Sequence, residues 1–583
     1  MLEGVFESLA SVSRGSFSWP DYLVFGGMLA SSLAIGIFYA IKSRNKSNDE
    51  FLLGSRSLTC FPVSISLLAS YISAILVLGG PAEAYYHGIQ WWVICAGQIA
   101  LPIVAVVFMP FFYNLGLISM YEYLEMRYGS RWVRCTASGM YVVQMLLYQA
   151  VVIYAPALAL ASVTDFPLWS SIITVGLIAS VYTAIGGMKA VIWTDVLQLF
   201  ILIVGLFSVV IKGLVDFGGF ERVWEIGRRH DRTGSHIFTY GYVPYQRHTV
   251  SNIVIGIIVS TLSQYACTQT TVQRYVTMKN LTHSYMAIFL VIPFFILLIS
   301  LSMVAGLVLF ATYEGCDPLA AGLIAKKDQI LPFYVMERMS AFPGLPGLFV
   351  ACIFSGSLST ISSGVNSQAA VTWEDVFSKI PFFARLSLTA QAGVTKFIAL
   401  TYGMLALGLA FVAGSMGGVL QAAIAVTSSV AGPLLAVFIM ALFMPFTNTK
   451  GACVCLLLGT GVALGFSFGA TAVGLKPELL PSPTDACPPN LNITVSAPPA
   501  VRVSDLNYPA KLLGLSYTQM GPLGLVVGIV SGILVSLVTG MSRGRRVDPK
   551  FIHPWVRWSV PQPEVVAMRV KEHSYDNKIS TQF

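Results

Sequence analysis

The sequence predicts an all-α, polytopic membrane protein of about 13 transmembrane helices, and three observations carry that reading. The chain of 583 residues is 55% hydrophobic and only 11% charged, against about 25% charged in ordinary soluble domains. Apolar stretches of roughly 20 residues, the length a helix needs to cross a bilayer core, recur from end to end. Two of these stretches, five spans apart, are interrupted by polar or helix-breaking residues.

The spans fall at 21–41, 61–83, 89–113, 136–161, 167–185, 192–214, 248–268, 284–312, 344–364, 393–413, 417–444, 451–472 and 519–541. They leave an N-terminal segment 1–20, a transmembrane domain 21–541 and a polar tail 542–583. Lys and Arg in short loops mark the cytoplasmic side. With the N-terminus outside and the C-terminus in the cytoplasm, the inner loops receive Lys42, Arg44, Arg127, Arg131, Arg134, Lys189, Arg274 and Lys279 among others. The short outer loops 84–88, 162–166 and 414–416 then hold no Lys or Arg. The net charge of +8 follows this topology and forms no single patch, so nucleic acid is not an expected partner. The SRGRR cluster after Met541 suits anionic membrane lipid, although inner-side bias explains it equally well.

Met1–Pro20 is mixed and polar, and the first apolar run is too long for the core of a cleavable signal. The nine cysteines show neither CxxC nor Cys/His metal spacing. Only Cys316 and Cys487 lie in outer loops, and the sequence leaves their pairing open. The sequon at Asn492 lies in the large outer loop 473–518 and is a glycosylation candidate, whereas those at Asn45 and Asn280 face inward. No Walker A or HExxH motif occurs, which argues against an ATP-driven pump or an intramembrane enzyme. A secondary transporter, a channel or a receptor remains.

Transporters of inverted-repeat design carry broken helices at matching positions of their two halves. The second span, SISLLASYISAILVLGGPAEA, is rich in Ser and ends in Gly79, Gly80 and Pro81. Five spans later, SQYACTQTTVQRY dissolves into Gln and Thr before Arg274. Spans two to six and seven to eleven then form two five-span repeats, over about 61–214 and 248–444, with 451–472 and 519–541 appended. In the ninth span, SGSLSTISS (355–363) packs six hydroxyls into nine residues. At about 100° per residue, Ser355, Ser359, Ser362 and Asn366 share one helical face. A single buried hydroxyl bonds the carbonyl one turn back at little cost, and a small-residue stripe serves helix packing. Six together beside Gly356 also suit a hard cation, which prefers neutral or anionic oxygens.

The chain resembles the sodium/solute symporter family, and within it the animal branch of sodium-coupled monocarboxylate, multivitamin and iodide transporters. The resemblance covers nearly the whole chain and is carried by YEYLEMRYG (121–129), VIYAPALAL (152–160), YTAIGGMKAVIWTDVLQ (182–198), VQRYV (272–276) and 344–376 with its SGSLSTISS block. It implies a LeuT-like five-plus-five core and no cofactor other than Na+ as coupling ion. It implies Na+ ligands at the carbonyls of Ala69, Ile72 and Gly356 and the hydroxyls of Ser359 and Thr360. It gives Asp195, with Ser362 and Ser363, a second inner site or a release path, against the plainer reading of an interfacial carboxylate paired with Lys or Arg. It implies a substrate cavity at Ser73, Leu76, Tyr265, Thr268 and Gln269.

Leu76 stands where iodide carriers hold Gln, which lowers the expectation for iodide and narrows the room for a vitamin ring. No Lys or Arg is expected at mid-membrane to pair a carboxylate. The resemblance therefore implies a plasma-membrane symporter for a small organic anion, a monocarboxylate first, with biotin or pantothenate next and iodide lower. A sensor or channel-like relative that keeps the fold is the rival class. The terminal Ser-Thr-Gln-Phe, with Thr581 and Phe583, fits the pattern that adds as a strand to a PDZ groove.

Overall fold

The computed structural model describes residues 17–42, 58–164, 166–186, 188–234, 238–414, 419–475, 479–487, 503, 506–507, 510–540 and 547–560. Asn492, Thr581 and Phe583 lie outside them. Among the described residues the architecture is helical throughout, with one isolated bridge between Leu58 and Met278.

The first half runs α1 (Trp19–Lys42), α2 (Cys60–Tyr71), α3 (Ala74–His87), α4 (Ile89–Leu115), α5 (Glu122–Tyr128), α6 (Arg131–Val163), α7 (Leu168–Gly186) and α8 (Met188–Phe217). The second half runs α9 (Phe220–Arg229), α10 (Val250–Ala266), α11 (Gln269–Val276), α12 (Leu281–Thr312), α13 (Leu345–Asp375), α14 (Leu388–Ala413), α15 (Val419–Phe443), α16 (Thr449–Ala472) and α17 (Met520–Val538). Ten helices are long and apolar enough to cross a membrane, and two bent pairs, α2–α3 and α10–α11, bring the number to twelve. The stretch 167–185, expected as a further span, forms α7.

Several helices outrun their apolar stretch. The span expected at 344–364 continues as α13 to Asp375, so its 31 residues reach about 46 Å. The extension remains helical because Asp375 and the carbonyl of Glu374 bind Arg134 of α6. α13 is the central helix: 94% of its apolar window is buried, against 17% for the peripheral α1. It packs against α6, α8 and α14, while α15, α16 and α17 form a tight group of their own. Small residues permit that closeness. A Cβ on Gly432 would come 2.0 Å from the carbonyl oxygen of Gly521, as expected where helices associate by backbone approach.

Outside the helices, Cys316 and Cys487 form a disulfide. The stretch before Cys487 lies across the end of α3: Leu480 N donates to Tyr86 O at 3.0 Å, and Arg232 donates to the carbonyls of Tyr85 and Pro481.

Candidate cation site and solute cavity

The first break is built by two residues. Ile72 is extended (φ −90°, ψ 97°) and ends α2, its N–H reaching Leu68 O. Ser73 is extended as well and caps α3, accepting from Ile75 N at 3.2 Å. The two halves meet at a bend of 58°. α10 and α11 bend by 50° at Cys267 and Thr268. Tyr71 ties the two breaks together, since its hydroxyl contacts Gln264 O at 2.7 Å, Thr268 Oγ1 at 3.0 Å and Thr271 Oγ1.

α13 lies against the first break. Ser359 Oγ donates to Ala69 O at 2.9 Å and is 3.0 Å from Gly356 O. Thr360 Oγ1 lies 3.4 Å from Ala69 O and 3.1 Å from Gly356 O. Ala69, Gly356, Ser359 and Thr360 are thus brought together within hydrogen-bond reach, and Ile72 is buried at the break beside them. Glycine is required at 356, because a Cβ there would stand 2.9 Å from Ala74 N and 3.0 Å from Ser73 C. Each hydroxyl keeps two lone pairs besides its proton, so the oxygens that now bond one another can turn toward a hard cation.

One turn away is a charged cluster. Asp195 Oδ2 accepts from Ser66 Oγ at 2.5 Å and pairs with Arg274 Nη2 at 3.3 Å. Arg274 also donates to Ser66 Oγ at 2.8 Å, to Thr270 O at 2.7 Å and to Ser363 Oγ. Ser70 Oγ donates to Ser363 at 3.0 Å, and Ser362 Oγ donates to Ser359 O at 3.1 Å. Two expectations are corrected here. Arg274, counted among the inner-loop cations, is 1% exposed, because the bend turns α11 back into the bundle. A buried cation therefore does exist among the spans, and Asp195 is its partner. Asp195 Oδ1 and both amide atoms of Gln198, three residues on, find no hydrogen-bond partner among the described residues.

Beside the breaks lies a cavity of about 160 Å³. Ser73, Leu76, Tyr265 and Thr268 line it. Gln269 does not. Its amide is spent on the turn before α5, donating to Ile118 O at 2.6 Å and accepting from Met120 N at 2.9 Å. No charged side chain lines the cavity. Gln98, Gln144, Gln264 and Tyr148 add polar groups to the lining Ser and Thr hydroxyls, and Trp91 and Phe295 form part of its apolar wall. Gln144 donates to Thr427 O at 3.0 Å, while the side-chain oxygens of Gln98 and Gln144 are buried with no partner among the described residues. Sequence reasoning passed over both glutamines, although an amide inside GQIALPIV or YVVQMLL is a visible signal.

The first turn of α15 covers one end of the cavity and is fastened at three successive residues. Val419 N donates to Asp328 Oδ2 at 3.1 Å. Leu420 lines the cavity and touches Gly79, where a Cβ would come within 2.8 Å of the Leu420 Cβ. Gln421 accepts from Arg247 Nη1 at 2.7 Å, and Arg247 is bidentate on Glu83 at 2.9 and 3.1 Å. Desolvation pushes the Asp328 carboxyl up to about 6.

Residues 51–459 match the sodium:solute symporter family. The chain is 37% identical over 560 residues to sodium-coupled monocarboxylate transporter 2 of Danio rerio, covering 94% of this chain and 88% of that one. It is 39% identical over 553 residues to the sodium-dependent multivitamin transporter of Oryctolagus cuniculus, with 94% and 86% covered. Human sodium-coupled monocarboxylate transporter 1 is 37% identical over 554 residues, with 92% and 90% covered. Among solved structures, a Na+-coupled sialic acid symporter in a substrate-bound outward-open state superposes with a TM-score of 0.73 at 21% identity, covering 90% of this chain and 98% of that one. The broken pairs, the length of the match and these relatives agree: this chain belongs to the sodium:solute symporter family and is a Na+-coupled transporter, not an enzyme.

Proposed function

We propose that the chain imports a small organic monocarboxylate with Na+ across the plasma membrane by alternating access. Na+ binds at the carbonyls of Ala69, Ile72 and Gly356 and the hydroxyls of Ser359 and Thr360. The observation that carries this is the meeting of two adjacent hydroxyls with Ala69 O and Gly356 O at a helix break. An all-neutral oxygen set costs less to dehydrate than a buried carboxylate and can release its ion. Asp195, Ser362 and Ser363 belong to the inward release path, with Arg274 holding Asp195 in place.

The solute occupies the cavity at Ser73, Leu76, Tyr265 and Thr268, with Gln98 and Gln144 as amide partners. A carboxylate there meets no free cation, because Arg274 is engaged by Asp195, Ser66, Ser363 and Thr270. Its charge is balanced by Na+ and by the N-terminus of α3, whose Ile75 and Leu76 face the cavity. Relatives named as monocarboxylate transporters support this class. A biotin- or pantothenate-like acid is the second reading, favoured by the equally long match to a multivitamin transporter. Iodide ranks below both because Leu76 offers no polar contact. A non-transporting sensor remains the rival from another class. The orientation carried here has the N-terminus outside and the C-terminus inside, with a glycan on Asn492 and a PDZ partner at Thr581 and Phe583.

Voltage-clamped oocytes, with Na+ exchanged for choline, test the reading. Lactate, butyrate, nicotinate, biotin, pantothenate and iodide are applied in turn, with tracer uptake on the same cells. A Na+-dependent current or uptake for one acid, lost in the Ser359→Ala/Thr360→Ala double variant, is expected. Neither signal from cells with surface expression would sink the substrate list and favour the sensor.

A further inference from the structure

Seven tryptophans are at least 42% exposed, and five of them, Trp19, Trp92, Trp132, Trp169 and Trp193, lie within the first six residues of α1, α4, α6, α7 and α8. These are the positions where amphipathic rings sit at the headgroup level of a bilayer. The two exceptions, Trp555 and Trp558, are 61% and 85% exposed and belong to the segment after the last helix.

That segment is sewn to the bundle. His553 N donates to Leu442 O at 3.1 Å in the last turn of α15. His553 Nε2 is 3.2 Å from Val107 O, which lies in a π-helical turn of α4. A carbonyl can only accept, so Nε2 carries the proton, and Nδ1 is free to accept from Trp555 N at 3.3 Å. The ring sits between Phe111 and Phe443, with centroids at 6.2 and 5.0 Å. Tyr123 of α5 donates to Phe551 O at 2.9 Å. Within the segment, Arg557 donates to Ile552 O and Trp558 Nε1 to Trp555 O. Tail residues are thereby held at the ends of α4 and α15, with two large indoles left outward beside Lys550 and Arg557.

We propose that residues 549–560 form an interfacial clasp: docked through His553, they insert Trp555 and Trp558 into the headgroup zone of the leaflet on the C-terminal side. The occupant of this exposed aromatic face is the protein's own bilayer. Its level is set by the last turn of α15, whose Leu442 O accepts from His553, its chemistry matches the five other exposed tryptophans, and Arg557 complements lipid phosphates while Lys550 pairs with Asp548 at 3.0 Å.

The test uses the full chain in lipid nanodiscs, comparing wild type with a Trp555→Phe/Trp558→Phe variant whose changes are small and outward. Subtracting the two emission spectra isolates the two indoles. In lipid brominated high on the acyl chain, the difference spectrum should lose at least half its intensity, and less in lipid brominated deep. Protease should cleave 549–560 more slowly in nanodiscs than in detergent, and a His553→Ala chain should lose that protection. A red-shifted difference spectrum untouched by either brominated lipid would overturn the proposal and leave these rings to a soluble partner. So would equal cleavage in nanodiscs and detergent.

Discussion

At the residue scale, the site depends on close approach and on charge balance. Gly356→Ala places a methyl against the backbone of Ser73 and Ala74, and overpacking of this kind costs about 1–3 kcal/mol. Transport should be lost with the protein still at the surface, and the melting temperature of the purified chain should fall. Asp195→Asn should be worse for folding, because Arg274 would keep a buried charge with no counter-ion, a loss of about 3–5 kcal/mol. Pairing it with Arg274→Gln should restore much of the surface expression, and failure to do so would mean that Asp195 acts through something other than its partner. Gln144→Ala removes an amide that lines the cavity, so the half-saturating solute concentration should rise about tenfold, equivalent to 1.4 kcal/mol, with Na+ affinity little changed. The hydroxyl cluster 355–363 was legible in the sequence, because six hydroxyls in one apolar span have few uses, whereas Ser359 and Thr360 were singled out as ligands only by the resemblance to the family. The task of Gln269 was not, since nothing local announces that its amide will serve the backbone at Ile118 and Met120.

At the element scale, the fastened first turn of α15 makes a pH prediction. Desolvation raises Asp328 to about 6 where it is buried and accepts from Val419 N, whereas a carboxyl released to solvent titrates at about 3.9. The fastened form therefore binds more protons between those values, and acid favours it over a released one. Lys327, beside it and lowered to about 8 by desolvation, remains charged over that range. External pH falling from 7.5 to 5.5 should slow transport, and Asp328→Asn should flatten the profile. An unchanged profile in that variant would place the proton elsewhere. Helix existence was readable because hydropathy is a local property, and the breaks were readable as polar interruptions. Their bends of 58° and 50° were not, and those angles decide that Arg274 turns inward to meet Asp195 and that Tyr71 joins one break to the other. The docking of His553 on Val107 escaped for the same reason, spanning 446 residues of sequence.

At the scale of the whole molecule, two broken pairs flank one long buried helix, and the oxygens proposed to hold Na+ come from both sides of that contact. On that proposal, ion release requires α13 and the α2–α3 break to part, which would turn a Na+ gradient into movement of the bundle. Each net charge carried inward adds about 2.3 kcal/mol per 100 mV, so a coupling of two Na+ to one monovalent acid should show a current that grows with hyperpolarisation. The disulfide-linked stretch has a practical consequence. The Cys316–Cys487 link holds the 479–487 stretch against Tyr85 and Tyr86 at the tip of α3, the half-helix that would shift as the cavity opens under the proposed alternating access. A nanobody raised against the oxidised strap would therefore discriminate conformations while contacting neither ion nor solute. Protein produced in a reducing lysate would present a different epitope, making such a binder a quality check on recombinant material as well as a reporter of state.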